Sequence, residues 1–322
     1  MRSLTLALPS FQRRDALERA LRSVEAEVRR DAAIARDLEV LVVLDGSTDS
    51  SLEMLQKLSL GVPLRWYWQP NAGLAAARNA LLEQVTTDLV WFLDDDMVVG
   101  EGTIRRHRQS HLAGSRGLLM GPCLFPEDLD VVRMNRSWAD DVYRHLAAIG
   151  SVHDPNHVSF ANTSGPVSVF DELGGFDARL HGWGGEDVEL GIRALRAGIE
   201  IRYEADAIVW HHQARDVREM CETKIDQGRN QVRLAQFHPE NRDLVLPPLR
   251  RRHQRMLFGL MRRLRPRGGR LLAKMLASAA VIEQALPGQP TVLLRFAAES
   301  SRLTGIAEMD LDGCLVEHLL SH

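Results

Sequence analysis

Three consecutive carboxylates, Asp94-Asp95-Asp96, follow directly on the apolar run Leu89-Val90-Trp91-Phe92-Leu93. Such a run predicts a strand buried on both faces, so its end delivers negative charge to the rim of a sheet. Two carboxylates about 5 Å apart repel by roughly 3 kcal/mol at the effective dielectric of a protein surface. A cation among them removes that cost, and hard oxygen ligands with few nitrogens suit Mg²⁺ or Mn²⁺, ions that also hold substrate phosphates. The competing reading is an exposed strand end whose last Asp caps the next helix. A second acidic pair, Glu186-Asp187, follows His181-Gly182-Trp183-Gly184-Gly185. It falls in the first turn of a predicted helix, where the dipole favours an ionised carboxylate. His211-His212 closes a short apolar segment and adds imidazole nitrogens to the inventory.

The first hundred residues contain the elements that position these groups. Leu4 to Leu8, Glu39 to Leu44, Leu64 to Trp68 and Asp88 to Leu93 read as strands. They alternate with helical patterns at Arg14 to Arg30, Ser50 to Leu58 and Gly73 to Val85. This order predicts a mostly parallel sheet with helices on both faces. Ligands of such sheets gather beyond the carboxyl ends of the strands. Three of these ends are polar: Pro9-Ser10, Asp45-Gly46-Ser47-Thr48-Asp49 and Asp94-Asp95-Asp96. One site is expected where they converge. Further on, Leu118 to Leu124 reads as a strand, Arg136 to Ile149 as a helix and Asp154 to Pro166 as a polar loop. A helix from Val188 to Ala197 and short strands at Ile199 to Tyr203 and Ala207 to Trp210 follow. Beyond Asp216 the pattern is helical, with expected breaks at Pro247-Pro248, Pro266-Arg267-Gly268-Gly269 and Pro287-Gly288.

The bulk numbers agree with a globular α/β protein: 322 residues, 45% hydrophobic, 26% charged, formal charge -3. No stretch reaches the length of uninterrupted apolar sequence that a transmembrane helix requires. The N-terminus reads as a first strand rather than a signal peptide. Cys123, Cys221 and Cys314 are odd in number and far apart, which points away from a disulfide framework or a zinc site. A cytoplasmic setting is the expectation. The charge is unevenly spread: Arg250 to Lys274 holds ten Lys or Arg residues and no acid.

Taken in order, Pro9-Ser10-Phe11-Gln12-Arg13, Val43-Leu44-Asp45-Gly46-Ser47-Thr48-Asp49, Asn71-Ala72-Gly73 with Ala77-Arg78-Asn79, Asp94-Asp95-Asp96, Gly174-Gly175-Phe176-Asp177 and Trp183-Gly184-Gly185-Glu186-Asp187 form a pattern over about residues 3 to 240. The chain resembles a family 2 glycosyltransferase of GT-A type. The resemblance implies a nucleotide diphosphate sugar donor, with uridine diphosphate foremost as carrier, and a Mn²⁺ or Mg²⁺ cofactor. It assigns Asp96 to the metal together with Asp94, and Asp94 or Asp95 to ribose or sugar hydroxyls. It implies that Asp45 reads the nucleobase in a pocket lined by Pro9, Ser10 and Phe11, with Asn71 and Gly73 beside it. Arg78 resembles the arginine that meets the diphosphate or sugar. His211 fits the family's third metal ligand, with His212 as the other choice. Asp187 is implied as general base for an inverting transfer, with Glu186 orienting a sugar. Trp183, Gly184 and Gly185 would form the acceptor surface. The segment before Gly174 departs from the family in lacking an arginine, and the Trp-Gly-Gly-Glu-Asp run also resembles retaining enzymes.

The implied acceptor is a saccharide, a lipid-linked sugar, a peptide or a small molecule, and no nucleic acid partner is expected. Two domains follow: 1–240 as the catalytic domain, and 241–322 as a helical, partly basic extension. Met256, Leu257, Leu260, Met261 and Leu264 lie among arginines. Residues 250–270 therefore fit either a helix lying peripherally on the inner membrane face or one packed on the protein with its arginines in water. Two rival functions are a non-catalytic nucleotide-sugar-binding or membrane-recruiting protein on the same fold, and a sugar-phosphate nucleotidyltransferase. The intact acidic pairs argue against the first. The missing glycine-rich basic loop after the first strand argues against the second.

Overall fold

The computed structural model describes residues 2–111, 116–213, 216–285, 292–309 and 316–320. They fall into two compact units: Met1–Leu129 with Trp138–Arg179 and Glu186–Gln213, and Asp130–Ser137 with Leu180–Gly185 and Ala214–His322.

The first unit is α/β. Strands β1 (Leu4–Ser10), β2 (Leu38–Asp45), β3 (Leu64–Gln69) and β4 (Leu89–Leu93) alternate with helices α1 (Arg14–Arg30), α2 (Ser51–Lys57) and α3 (Leu74–Gln84). Short strands β5 (Met97–Val99), β6 (Leu118–Met120) and β7 (Cys123–Leu124) follow, with α4 (Thr103–Ser110) between β5 and β6. Helix α5 (Arg133–Ile149) begins in the second unit and ends in the first. The first unit is completed by β8 (Asn162–Pro166), α6 (Val167–Leu173), α7 (Glu186–Arg196), β9 (Ile201–Tyr203) and β10 (Val209–His211).

Seven strands form one sheet in the order β3-β2-β1-β4-β8-β6-β9. β1 runs parallel to both β2 and β4, β2 to β3, and β6 to β9, while β8 is antiparallel to β4 and β6. This is the mixed, mostly parallel GT-A arrangement expected. Both faces of the central strands are buried, and alternate residues feed two cores. Leu4, Leu6, Leu8, Val40, Val42, Leu44 and Trp91 pack on one side; Ala7, Leu41, Val43, Val90 and Phe92 on the other. Double-sided burial explains why these strands read as continuous apolar runs. β1 has a parallel neighbour on each side, so the strand order reverses there, between β1 and β4, the point at which ligands of such sheets bind.

The expected polar loop before Pro166 contains a central strand. β8 is Asn162-Thr163-Ser164-Gly165-Pro166, buried at every position. Its side chains are paid for in hydrogen bonds: Asn162 Oδ1 accepts from Trp91 Nε1 at 3.0 Å, and its Nδ2 donates to the carbonyls of Pro122 (3.1 Å) and Ala207 (2.8 Å). Ser164 Oγ lies 2.8 Å from His107 Nδ1 and 2.9 Å from His111 Nε2. Burial pushes the imidazole of His107 down to about 3 and that of His111 to about 4, so both are neutral members of the network.

The second unit is helical: α8 (Val217–Phe237), α9 (Arg242–Val245), α10 (Arg252–Ala285), α11 (Val292–Met309) and α12 (Val316–Leu320). This compact unit includes α8, which lies before residue 241. Val217, Met220 and Cys221 of α8 share a core with Ala277, Ala280, Leu294, Ala297 and Ala298. α8 and α11 approach closely at two glycines. A Cβ on Gly228 would sit 2.0 Å from the carbonyl oxygen of Arg302, and one on Gly305 would sit 1.9 Å from that of Ile225. α10 runs unbroken through Pro266-Arg267-Gly268-Gly269, where a break was expected. Packing overrides propensity there: Gly269 is buried, and its missing side chain leaves room for Thr304 and Met261. Pro287-Gly288 and Cys314 lie outside the described residues. Cys123 and Cys221 are buried free thiols. Among the described residues no helix is long and apolar enough to cross a membrane.

Candidate functional site

The rims of β1, β2 and β4 carry the predicted residues, and two arginines organise them. Arg78, on α3, is fully buried, with its side chain 1% exposed. Its Nη1 donates to Asp187 Oδ1 at 2.7 Å and to Glu186 Oε1 at 3.2 Å, and its Nη2 donates to Asp94 Oδ1 at 3.0 Å. Its guanidinium also lies 5.3 Å from the centroid of Phe176. Burial opposes that charge, yet Asp187, Asp94 and Glu186 together hold Arg78 above its ordinary range. The arginine that the resemblance assigns to the diphosphate or sugar thus gathers three carboxylates around its two terminal nitrogens.

The Gly174-Gly175-Phe176-Asp177 motif serves this cluster. Phe176 N–H donates to Asn79 Oδ1 at 2.7 Å, and Asn79 Nδ2 donates back to Phe176 O at 2.8 Å. That clamp, one residue from Arg78, sets the ring under the guanidinium. Gly175 is required: its φ is +71°, and a Cβ would lie 2.6 Å from Asn79 Oδ1.

Helix α7 starts at Glu186, so both acids stand in its first turn as expected. Asp187 Oδ2 accepts from Phe160 N–H at 3.1 Å. Burial raises the Asp187 carboxyl above its ordinary value, with Arg78 opposing. Burial and the neighbouring Asp187 charge push Glu186 up to about 7.

Arg13 organises the other side. Its Nη1 donates to Asp95 Oδ1 at 3.2 Å and to Asp96 Oδ2 at 2.6 Å. Burial, opposed by Arg13 and reinforced by Asp96, pushes Asp95 up to about 7. Burial likewise works against the Arg13 charge, but Asp95 and Asp96 raise it. His211 reaches this point through sheet register. β10 pairs antiparallel with β5, setting His211 opposite Met97, and His211 Nε2 lies 3.4 Å from Asp96 Oδ2. The next residue contributes its backbone there, His212 N–H donating to Asp96 O at 2.9 Å. Phe125 stacks on the His211 ring, with centroids 5.0 Å apart.

These positions test the metal expectation. Among the described residues no three His, Cys, Asp or Glu side chains form a metal-holding group. Asp94 pairs with Arg78, and Asp96 lies beside His211. An oxygen donor in the turn before β5 and a nitrogen donor on β10, with five clustered carboxylates against two guanidiniums, suit a hard divalent cation completed by substrate phosphates. Mg²⁺ sites are commonly built that way, from one or two carboxylates and the substrate.

Asp45, at the end of β2, is held by the chain that follows β3. Its carboxylate accepts from Ala72 N–H and Gly73 N–H, both at 2.9 Å, and from Gln69 Nε2 at 2.7 Å. Asn71 Nδ2 closes the loop by donating to Asp45 O at 3.0 Å. About three of the roughly four acceptor positions of a carboxylate are thus directed to its own loop. Gly46 is needed at this crossing, because at φ +83° its Cβ would lie 2.8 Å from Asn71. Pro9 and Ser10 are buried at the end of β1, whereas Phe11 is half exposed. Trp68, also half exposed, donates its indole N–H to Ser47 O at 3.0 Å.

Trp183, Gly184 and Gly185 belong to the second unit and are held there by α8. Trp183 N–H donates to Asp226 Oδ2 at 3.3 Å, and Asn230 Nδ2 donates to the carbonyls of His181 at 3.1 Å, of Trp183 at 3.4 Å and of Gly184.

Sequence reasoning passed over Arg13, Phe160, Asn79 and Phe125. Arg13 stood inside a quoted motif, so its sign was available; its partners, more than eighty residues away, were not.

Two family models match in succession: glycosyl transferase family 2 over residues 5–152 and the N-terminal domain of galactosyltransferase over 159–212. The first of these matches places residues 5–152 in glycosyltransferase family 2. Among its relatives is a validoxylamine A glucosyltransferase of Streptomyces hygroscopicus, 27% identical over 227 residues, covering 61% of this chain and 52% of that protein. A pre-mycofactocin glycosyltransferase of Mycobacterium tuberculosis is 29% identical over 225 residues, covering 68% of this chain and 47% of that one. The chain thus spans about half the length of the curated relatives it matches. The mannosyltransferase PcManGT of Pyrobaculum calidifontis, solved with GDP-Man and Mn²⁺, shares the fold. It has a TM-score of 0.60 and 14% identity, over 97% of this chain and 88% of that one. Residues 1–349 of TarS from S. aureus, solved with UDP-GlcNAc, superpose with a TM-score of 0.51 and 15% identity, over 97% of this chain and 92% of that one.

Proposed function

We propose that this protein transfers a sugar from a nucleotide diphosphate sugar, a UDP-sugar foremost, to an acceptor hydroxyl with inversion at the anomeric carbon. The observation that carries the reading is the Arg78 bridge, which ties Asp187 to Asp94, at the head of the acidic run that meets His211. A proton acceptor and an acidic cation-attracting rim are thereby brought within one side chain of each other.

Asp187 is the general base. Arg78 occupies its Oδ1 and Phe160 N–H its Oδ2, and each oxygen retains a second lone pair for the acceptor O–H. The acceptor oxygen attacks C1 of the sugar, its proton passes to Asp187, and the C1–O bond to the nucleotide diphosphate breaks with both electrons leaving on oxygen. Burial makes Asp187 a stronger base than an exposed carboxylate, and Arg78 keeps it ionised and aimed. Asp96 and His211 would hold Mn²⁺ or Mg²⁺, which when bound supplies positive charge against the departing diphosphate. Glu186 orients a sugar hydroxyl, Asp95 a ribose or sugar hydroxyl, and the Trp183-Gly184-Gly185 loop the acceptor. Asp45, with Asn71 and Gly73, shapes the nucleobase pocket by fixing its loop.

The test is release of nucleotide diphosphate from UDP-Glc, UDP-GlcNAc and GDP-Man, with and without Mn²⁺, across saccharide, lipid-linked, peptide and small-molecule acceptors. Selective turnover that requires Mn²⁺ and disappears in Asp187→Asn is expected. Nucleotide-sugar binding without transfer to any acceptor, or full turnover in Asp187→Asn, refutes the reading.

A further inference from the structure

Helix α10 of the second unit has two unlike faces. Leu257, Phe258, Met261, Ala273, Ala277 and Ala280 are buried, which accounts for its packing within the helical unit. On the opposite side Met256, Leu260, Leu264, Leu271 and Met275 are exposed, Met256 by 68% and Met275 by 63%. At 100° per residue these five fall within one arc of the helix, and between Met256 and Met275 they extend over about 28 Å. Single exposed apolar residues need no explanation. A row of five on one helix face does.

The charges on that face select the occupant. Arg267 and Lys274 fall within the same arc, Arg252 and Arg263 flank it, and all four are exposed. Among the described residues none of the four forms an ion pair, whereas Arg270 at the edge is paired with Glu308. No acid occurs between Arg250 and Lys274. A second copy of this chain would bring like charges together across a symmetric contact. A nucleic acid would leave the methionine and leucine stripe without a partner, since His253 is the one ring among the described residues of this face that could stack on a base. A bilayer with anionic headgroups satisfies both halves: apolar side chains enter the acyl boundary, and the long cationic stems reach up to the phosphates. We propose that the exposed face of α10 lies on an anionic phospholipid bilayer, in the plane of the headgroups. The proposal stands independently of the catalytic reading.

Sedimentation of the full chain with lipid vesicles tests it. Vesicles containing about 30% phosphatidylglycerol should carry the protein down, and pure phosphatidylcholine vesicles should not, the difference shrinking with added salt. Removing three charges together (Arg263→Gln, Arg267→Gln, Lys274→Gln) should weaken binding on the order of 100-fold. Removing the stripe (Met256→Ser, Leu260→Ser, Met275→Ser) should abolish it. All six residues are exposed, and an unchanged circular dichroism melt verifies that each variant folds. No binding of the folded chain to phosphatidylglycerol vesicles overturns the proposal, as does binding that survives both triple variants. Light scattering that shows a dimer dissociated by the stripe variant assigns the face to a second copy and also overturns it.

Discussion

Replacing Arg78 by Met should destabilise the protein strongly, and more so at high pH. Arg78 is a buried cation serving three carboxylates, and the substitution keeps the side-chain volume while leaving Asp94, Glu186 and Asp187 without their shared partner. Breaking a buried pair costs about 3 to 5 kcal/mol, a large share of the roughly 5 to 15 kcal/mol that holds a domain folded. The pH dependence follows from proton binding. Burial already sets the folded-state value of Glu186 at about 7, above that of an unfolded glutamate, and raises Asp187 as well. Without Arg78 both rise further, so the folded state binds more protons than the unfolded state over a wider range. Stability is then retained at acid pH and lost as pH rises through the folded-state values. Urea unfolding at about pH 5.5 and about pH 8 should give a smaller deficit at the lower value. A deficit under about 1 kcal/mol at the higher pH, or one that grows on acidification, would refute the bridging role of Arg78. Arg78→Lys should recover only part of the loss, because an ammonium cannot reproduce the fork that reaches Asp187 and Asp94 together.

Three further outcomes are expected. Arg13→Gln should tighten Mn²⁺ binding, because Arg13 competes for Asp95 and Asp96 in the metal-free protein; electron paramagnetic resonance of free Mn²⁺ checks this, and an unchanged or weaker affinity counts against it. Asn162→Ala should cost about 3 kcal/mol or more, since it strands the Trp91 indole N–H and the Ala207 carbonyl in the core and leaves the Pro122 carbonyl with the Val209 N–H alone; calorimetry showing a loss under about 1 kcal/mol would contradict the network. Gly305→Ala should destabilise the helical unit by about 1 to 3 kcal/mol through overpacking against the Ile225 carbonyl, whereas Gly259→Ala, with nothing near its Cβ, should not.

Several features were legible in the sequence because each is a local pattern. The first four strands and three helices follow from apolar period and turn chemistry, and α1 spans Arg14–Arg30 as its spacing predicts. Asp94-Asp95-Asp96 at a strand end and Glu186-Asp187 at a helix start needed no tertiary information. Other features depended on pairing between distant segments. β8 was read as a loop because Asn162, Thr163 and Ser164 carry no hydrophobic pattern, and only partners such as Trp91, His107 and His111 make their burial tolerable. His211 was preferred over His212 on resemblance, but it is the antiparallel register of β10 on β5 that brings its imidazole to Asp96. The identity of the cations among the acids also depended on the fold. A sequence counts charges, while Coulomb interaction depends on distance, so only the folded chain could assign Arg78 to Asp187 and Arg13 to Asp96. What this sequence determined alone was which elements form and where their polar ends lie; which of those ends face one another was decided by packing, because long-range contacts leave no period in the chain.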